Sequence, residues 1–577
     1  MTFLELARSF ERLEATSSRS ELVRILSELY RACPREEIEA VTYLIQGRLA
    51  PFFEPVEIGL GEKSLIAAIA EAYDTPAQEV VSLSRRLGDL GLVAEKLAGR
   101  TRGPSLSVAE VHGRLREIAA TQGSGTVKRR RELFAGLLND LDPPAAKHLV
   151  RIAVGKMRLG IGDPTILDAL SFATRGDKSL RPVLEAAYNR TSDLGLIART
   201  LWRDGQRGVE RLEVTVGKPI RCQLAERLPN PEAVMKKLGT VAVQPKYDGF
   251  RVQIHKDGDQ VSIFSRRLEN MSRMFPELLA AAGHLNARSA ILDGEAIAYS
   301  PESEEYLPFQ ETTRRRRKHG IEALAARIPL RAFVFDILYR DGTDLTSLPY
   351  EKRLDLVAET VRGSDTLLPA PSLTTDSVQV LTRELLDNIS RGLEGVVVKR
   401  LDSPYQAGAR NFNWVKLKRS TSGELTDTVD LVLLGYYFGR GKRVELGAGA
   451  LLAGVYDAER DEFVTITRIG TGLSDAEWRE IHKRGDRLQV DHKPARVNSL
   501  LVPDVWLEPS VVVEVMADEI TRSPIHTCGR VGSQPGFALR FPRIVSFRSA
   551  DKKPEDATSV REISEMFQQQ RQRHIQT

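Results

Sequence analysis

Lys246-Tyr247-Asp248-Gly249-Phe250-Arg251 is the stretch on which the reading of this chain turns. It spells Lys-x-Asp-Gly-x-Arg: a lysine, a carboxylate two residues on, a glycine free to take backbone angles that other residues avoid, and an arginine. Such a cluster can bring one lysine amine to a phosphate. Alone it is a weak signal, because a basic surface loop spells the same letters and a solvated lysine accounts for them equally well. Val241-Ala242-Val243 leads into it. Beyond it Val252, Ile254, Val261 and Ile263 alternate around Lys256-Asp257-Gly258-Asp259, which predicts a hairpin with a Gly-bearing turn.

Upstream, residues 1–215 read as helix after helix. Thr2 and Glu5 fit a capping box, and Phe3, Leu6, Ala7, Phe10 and Leu13 then keep helical spacing. Leu22, Ile25, Leu26 and Leu29 repeat the pattern, Pro34 predicts a third helix from about Arg35, and 131–138 and 145–154 behave alike. Downstream, helical patches at 351–361 and 378–389 separate strands as far as about Leu417, so 216–420 is expected to be a mixed α/β domain. Short strands then follow at 429–437, 450–456, 463–469, 511–516 and 543–547, predicting a small β-barrel over 421–577.

At 577 residues the chain is too long for one hydrophobic core, in keeping with three domains. Its 42% hydrophobic and 28% charged residues are ordinary for a globular protein. No apolar run approaches the roughly 18 residues of a membrane span, and no basic-then-apolar leader opens the chain. A cytoplasmic protein with no membrane partner is therefore expected. Cys33, Cys222 and Cys528 are too scattered for a disulfide framework or a zinc site. A net charge of +5 says little by itself, but basic residues cluster at 128–131 and 314–318. Gly123-Ser124-Gly125-Thr126 and the run 156–163 each place glycines and positive charge at a helix start, where free N–H groups can hold backbone phosphates. A plain helical scaffold explains them as well.

The lysine stretch does not stand alone. Ser265-Arg266-Arg267, Asp293-Gly294-Glu295, Phe333-Val334-Phe335-Asp336, Glu394-Gly395-Val396-Val397-Val398-Lys399 and Trp414-Val415-Lys416-Leu417-Lys418 follow it in order. Each supplies a group that nucleotidyl transfer needs, and each lies at or beside a strand-like run. In order and spacing they resemble the nucleotidyltransferase motifs of the ATP-dependent DNA ligases, most closely the archaeal and eukaryotic replicative type. The helical front, the segment Pro308-Phe309-Gln310-Glu311 before 314–318, and the late Arg540-Phe541-Pro542-Arg543 also fall in family order, so the resemblance spans nearly the whole chain. It implies a multidomain fold: an all-α DNA-binding domain, an α/β nucleotidyltransferase (adenylation) domain and a C-terminal OB-fold β-barrel.

The resemblance gives Lys246 the part of nucleophile, attacking the α-phosphorus of ATP to form lysyl-AMP. A lysine of pKa near 10.4 is only about 0.1% neutral at neutral pH, and cations such as Arg251, Lys416 and a metal are expected to lower that pKa. Arg251 and Arg266 would hold nucleotide or nick phosphates, since guanidinium forks match phosphate oxygens; a surface ion pair is the plainer alternative. Glu295 and Glu394 would serve ribose hydroxyls and Mg2+, an ion that keeps several waters and needs few carboxylates. Phe335 matches the residue that stacks on adenine, although Phe-Val-Phe is ordinarily core. Arg410 and Lys416 match the cations that reach the AMP phosphate, with Lys418 beside them. Arg540, Arg543 and Lys552 fall in the last motif, on a domain that in relatives turns inward and then swings away, which implies a hinge at 419–428. One position departs from the pattern. Many relatives carry glutamate where this chain has Gln244, whose amide oxygen can accept from the adenine amino group but brings no charge. Strict selectivity for ATP is thereby left open.

The expected activity is the sealing of 5′-phosphate, 3′-hydroxyl nicks in duplex DNA, with ATP and Mg2+ as cofactors, in replication, repair and recombination. Lysyl-AMP and adenylated DNA are the expected intermediates, and a monomer is expected. Relatives often carry a Gln-x-x-aliphatic-x-x-aromatic-aromatic box for a sliding clamp, but 98–106 shows only Gly-Arg-Thr-Arg-Gly-Pro-Ser in that region, so this stretch predicts no clamp contact and a clamp held elsewhere on the chain is left open. Three alternatives share parts of the pattern. An RNA-capping guanylyltransferase or RNA ligase has the lysine chemistry without the long helical front. An NAD-dependent ligase would be expected to carry a four-cysteine zinc site, which three cysteines cannot build. Against a non-catalytic nick-binding scaffold stand the intact Lys246, Glu295, Glu394 and Lys416.

Overall fold

The computed structural model describes all residues except 100–104, 300–305, 308–311, 313–314, 316–319, 392, 419–427, 439–447, 471–472, 533, 549–550 and 577. As far as Glu210 the described residues form twelve helices around a shared apolar core that runs from Phe3 to Val209. Phe3–Glu14 has both halves of the capping box at Thr2 and Glu5, and its period of 3.6 residues buries Phe3, Leu6, Ala7, Phe10 and Leu13 together. The third helix starts later than Pro34 suggests, at Ile38–Ile45. Glu37 is bound instead to the Met1 ammonium at 2.6 Å and the Ala109 N–H at 3.1 Å, so residues 35–37 stay a turn.

The central region holds two sheets. In chain order its strands are β1 (Leu224–Arg227), β2 (Val241–Lys246), β3 (Phe250–Asp257), β4 (Gln260–Ser265), β5 (Ser289–Ala298), β6 (Leu330–Arg340), β7 (Thr343–Asp344), β8 (Leu367–Pro369), β9 (Leu373–Thr375), β10 (Gly395–Arg400) and β11 (Arg410–Lys418). One sheet has the order β1-β11-β10-β2-β9. The other runs β4-β3-β5-β6-β7, with β8 added to β6. β3 and β4 form the expected hairpin, pairing Ile254 with Ile263 and Asp257 with Gln260, and Gly258 takes φ +56° in the turn. The chain leaves the first sheet at Lys246 and enters the second at Phe250, so loop 247–249 joins the two.

The C-terminal strands are β12 (Val429–Phe438), β13 (Ala448–Asp457), β14 (Glu462–Ile469), β15 (Gln489–Val490), β16 (Val497–Asn498), β17 (Val505–Leu507), β18 (Val512–Met516), β19 (Glu519–Ser523), β20 (Gly536–Arg540) and β21 (Arg543–Phe547). Their main sheet runs β15-β17-β12-β13-β14-β16, with β18 bridging β12 and β21, while β19 and β20 form a separate ribbon. The closed barrel expected from the strand spacing is not seen, because no sheet closes among the described residues. The edges β15 and β16 are two residues long, too short to offer a ladder on which the opposite edge could close. Helix Val560–Gln576 ends the chain and packs back on the core of this region through Ile563 and Met566. Among the described residues no helix is long and apolar enough to cross a membrane.

Candidate active site

Lys246 ends β2, and Glu394 stands just before β10, which pairs with β2 so that Gly395 faces Lys246. Gly395 also faces Lys418 on β11, at φ +142°, and a Cβ there would lie 2.2 Å from the Leu417 carbonyl oxygen. Only glycine tolerates that approach. The tight packing sets Glu394 between two lysines, its Oε2 2.5 Å from Lys246 Nζ and 3.0 Å from Lys418 Nζ. Burial favours the protonated carboxyl, but the two ammonium groups outweigh it and hold Glu394 well below the usual carboxylate range. Gly249 does similar work on the other sheet. A Cβ there would lie 2.3 Å from the Ala296 carbonyl oxygen, so its absence lets the loop lie against β5 beside Glu295. Burial pushes the Glu295 carboxyl up to about 8, against the pull of Lys246 and Arg251. Asp248 rises to about 6 through burial and the charge of Glu394.

These groups line a cavity of about 220 Å3. Strand register explains part of the lining, since Lys416 on β11, Val397 on β10 and Gln244 on β2 are paired neighbours and share one sheet face. Phe335 lines the cavity from β6 of the other sheet. Its ring meets Trp414 edge-on at 5.7 Å and lies 4.3 Å below Lys399 Nζ. Lys399 is buried, donates to the Phe335 carbonyl at 3.1 Å and to Tyr350 Oη at 3.3 Å, and is pushed down to about 7 by burial. Gln244 is 2% exposed, and neither polar atom of its amide makes a hydrogen bond of good geometry. Its weak contact is with Tyr350, whose hydroxyl donates to the Phe335 carbonyl at 2.9 Å.

The expected phosphate-holding cations already have acidic partners. Arg251 Nε and Nη2 pair with both oxygens of Asp293 at 3.0 and 2.7 Å, and Nη1 donates to the Gln223 carbonyl at 2.6 Å. Arg266 lies 3.4 Å from Asp556, while Arg410 and Lys416 share Glu562 at 2.5 and 2.7 Å. The group against Lys246 Nζ is therefore a carboxylate, where Arg251 and Lys416 were expected to act as cations; both are neutralised by acids of their own. Asp248, Glu295 and Glu394 offer hard oxygen donors, although as a trio they do not bring ligand atoms within 4.8 Å of one another. They fit an ion held by one or two carboxylates, its own waters and substrate phosphates, as Mg2+ is. Glu11, Glu14 and His148 do converge to that distance, but Lys147 and Arg151 already neutralise the two carboxylates.

Family patterns match the chain in order: "DNA ligase N terminus" at residues 2–171, "ATP dependent DNA ligase domain" at 222–418 and "ATP dependent DNA ligase C terminal region" at 445–552. A probable DNA ligase of Dictyoglomus turgidum is 47% identical over 100% of this chain and 99% of its own. The DNA ligase of Sulfolobus acidocaldarius is 40% identical with the same cover. The chain belongs to the ATP-dependent DNA ligases. Among solved structures, mycobacterial DNA ligase D complexed with ATP and MES matches 58% of this chain and 97% of its own, at 25% identity and a TM-score of 0.34.

The ligase brings Gln244, Lys246, Arg251, Arg266, Glu295, Phe335, Glu394, Arg410 and Lys416 to one cavity. Its last motif divides. Lys552 reaches the cavity, paired with Asp430, whereas Arg540 and Arg543 lie outside it with Glu519 and Asp518 at 2.8 and 2.6 Å. The arginine that does reach it is Arg548, held by Asp551 at 2.9 Å. Sequence reasoning missed Arg548, although the run Arg-x-x-Asp-Lys over 548–552 was a signal for it. It also missed Glu562 and Asp556, which carry no local mark of their partners. Of the two helix-start loops, Gly123–Thr126 is largely exposed. The other is covered by the C-terminal region, with Lys156 Nζ donating to the Arg487 carbonyl at 3.2 Å and Arg158 to that of Gln489 at 3.0 Å. Arg315, from the basic run 314–318, is buried against Glu277 at 2.8 Å. The rest of that run, 308–311, the hinge segment 419–427 and 100–104 of the clamp-box region lie outside the described residues.

Proposed function

We propose that Lys246 is the residue of this ligase that takes AMP from ATP. The amine attacks the α-phosphorus; the Nζ–P bond forms, the bond to the pyrophosphate oxygen breaks, and a proton is released to solvent. An oxygen of the nick 5′-phosphate then displaces Lys246 from the AMP phosphorus. The 3′-hydroxyl finally attacks the 5′-phosphorus, AMP leaves, and the phosphodiester is complete. Division into steps gives the last one a good leaving group.

One observation supports the assignment: Lys246, the weakly held amide of Gln244, the Phe335 ring and the cations Arg266, Arg410 and Lys416 line a single cavity. Gln244 would pair with the adenine edge and Phe335 would stack on its face. Glu295 would take the ribose hydroxyls. Arg266, Arg410 and Lys416 would grip the phosphates, while Arg251, locked to Asp293 and the Gln223 carbonyl, would brace the strands behind them. Glu295 and Glu394 would hold Mg2+, which supplies positive charge to the phosphates in transfer. Nicked duplex DNA would lie along the helical region, held by phosphate contacts near 123–131 that ignore sequence and weaken steeply with salt. Residues 1–215, 216–420 and 421–577 act as the three working units, the last an open variant of the OB-fold, and one chain carries every group named.

Lys246→Ala tests the assignment. The variant should take no covalent label from α-labelled ATP and should seal no nicks. Label retained on the altered chain would sink it.

A further inference from the structure

Gln244 is a buried polar side chain that the fold leaves weakly held. It stands on β2 two residues before Lys246, so both side chains leave the strand on one face, and both line the cavity. Its backbone is fixed opposite Val397 of β10. Yet its amide, 2% exposed, makes no hydrogen bond of good geometry. A glutamine that serves the fold looks different. Gln253, 3% exposed, donates through Nε2 to the Ile220 carbonyl at 3.0 Å and accepts through Oε1 from the Ile220 N–H at 2.7 Å.

The weak contact of the Gln244 amide is with Tyr350, a partner that can serve it in either direction. Tyr350 Oη donates to the Phe335 carbonyl at 2.9 Å and accepts from Lys399 Nζ at 3.3 Å. With the hydroxyl proton on that carbonyl, the Tyr350 oxygen is left to accept from the amide NH2 group, and Gln244 Oε1 is the atom offered to the cavity. Lys399 Nζ also donates to the Phe335 carbonyl, at 3.1 Å. The Tyr350 proton can therefore turn to the amide oxygen without stranding that carbonyl, and Gln244 Nε2 then faces the cavity. The oxygen and nitrogen of an amide are nearly the same size, so both orientations fill the same space.

Purines differ at the point such an amide would read. A 6-aminopurine carries a donor at position 6 and an acceptor at N1, whereas a 6-oxopurine carries an acceptor at position 6 and a donor at N1. An amide with Oε1 forward matches the first with paired hydrogen bonds, and the same amide turned over matches the second. Adenine and hypoxanthine are close in size and present the same flat face to the Phe335 ring.

We propose that Gln244 reads position 6 of the base in either sense, so that the ligase takes 6-oxopurine nucleoside triphosphates as well as ATP. The inference rests on the reading that Lys246 is the nucleophile and that Gln244 faces the base. Transfer from inosine triphosphate (ITP) follows the same course: the Nζ–P bond forms at the α-phosphorus, the bond to the pyrophosphate oxygen breaks, a proton goes to solvent, and lysyl-IMP remains.

The test compares label taken by the full chain from α-labelled ATP and from α-labelled ITP. The unaltered protein should take both, with rates at limiting nucleotide within about tenfold of each other, because the two amide orientations exchange one weak contact for another. Gln244→Glu keeps an acceptor and, when ionised, has no donor. It should keep the ATP label while its ITP-to-ATP ratio falls about 100-fold. Gln244→Leu, which serves neither base, should weaken both labels alike. ATP label without ITP label on the unaltered protein overturns the two-way amide and leaves Lys246 as the nucleophile. Neither label on that protein overturns the nucleophile reading and the proposal with it. A ratio in Q244E within threefold of the unaltered one shows that position 244 does not read the base. If Q244E takes neither label, Q244L decides, and a fall confined to ATP overturns the proposal.

Discussion

Gln244→Leu tests the reading of the cavity through two measurements that a structural role and a binding role move in different directions. The amide is 2% exposed and makes no hydrogen bond of good geometry, only a weak one with Tyr350. Leucine has similar volume and no polar group, so the nucleotide-free enzyme loses only a weak contact with Tyr350 and is spared a poorly satisfied buried polar group, which costs about 1–3 kcal/mol when unsatisfied. Its unfolding midpoint should hold or rise. Binding should suffer. Two hydrogen bonds to the base, at about 0.5–1.5 kcal/mol each, sum to about 1–3 kcal/mol, or roughly 5- to 150-fold in the ATP concentration giving half-maximal adenylation. The maximal rate of single-turnover adenylation should change little, because the bond made is at the α-phosphorus. The assay is the ATP dependence of label incorporation at Lys246, run beside urea unfolding without nucleotide. A variant that loses stability by more than about 1 kcal/mol while keeping the wild-type ATP dependence would refute the reasoning, since that is the signature of an amide serving the fold.

Two further outcomes follow from charge placement. Asp293→Ala strands the Arg251 guanidinium, whose side chain is 13% exposed, and removes the acceptor of Tyr405 Oη at 2.8 Å. Stability should drop by about 3–5 kcal/mol, and R251M/D293L should recover much of it, because breaking a buried pair costs far more than replacing both partners; a loss below about 1 kcal/mol for D293A contradicts this. Glu11 is held down to about 2 by the hydrogen bond from His148 and, against burial, by Lys147. Its folded pKa lies below the unfolded value of 4.5, so its contribution is present above about pH 4.5 and is lost as pH falls toward 2. The shift corresponds to about 3 kcal/mol, discounted to about 1–2 for a side chain 37% exposed. Glu11→Gln should therefore be less stable than wild type by that amount at pH 7, with the gap closing between pH 4.5 and 2 in denaturant titrations. A gap independent of pH counts against the assignment.

Short-range pattern carried much of the fold. The helix Phe3–Glu14 with its capping box, the β3–β4 hairpin and the C-terminal strands were legible because helical spacing, strand alternation and turn chemistry are properties of a few neighbouring residues. The motif residues were legible for a related reason: each sits on or beside its own strand, and the order of those strands is the order of the chain. Closure of the C-terminal sheet was not, since it depends on whether its far edges, β15 and β16, can meet in space. The third helix lost its expected start to Glu37, drawn away by Met1.

Residue types and their order along the chain name the groups that can be brought to a phosphate: Lys246, its flanking acids and a set of late cations. What each of them touches is set by the folded arrangement. Arg251 is committed to Asp293, Arg548 takes the place expected of Arg540 and Arg543, and Lys416 is answered by Glu562 from 146 residues away. The physical reason is that a charge acts through distance and burial, and its closest counter-charge in space bears no fixed relation to its neighbours along the chain.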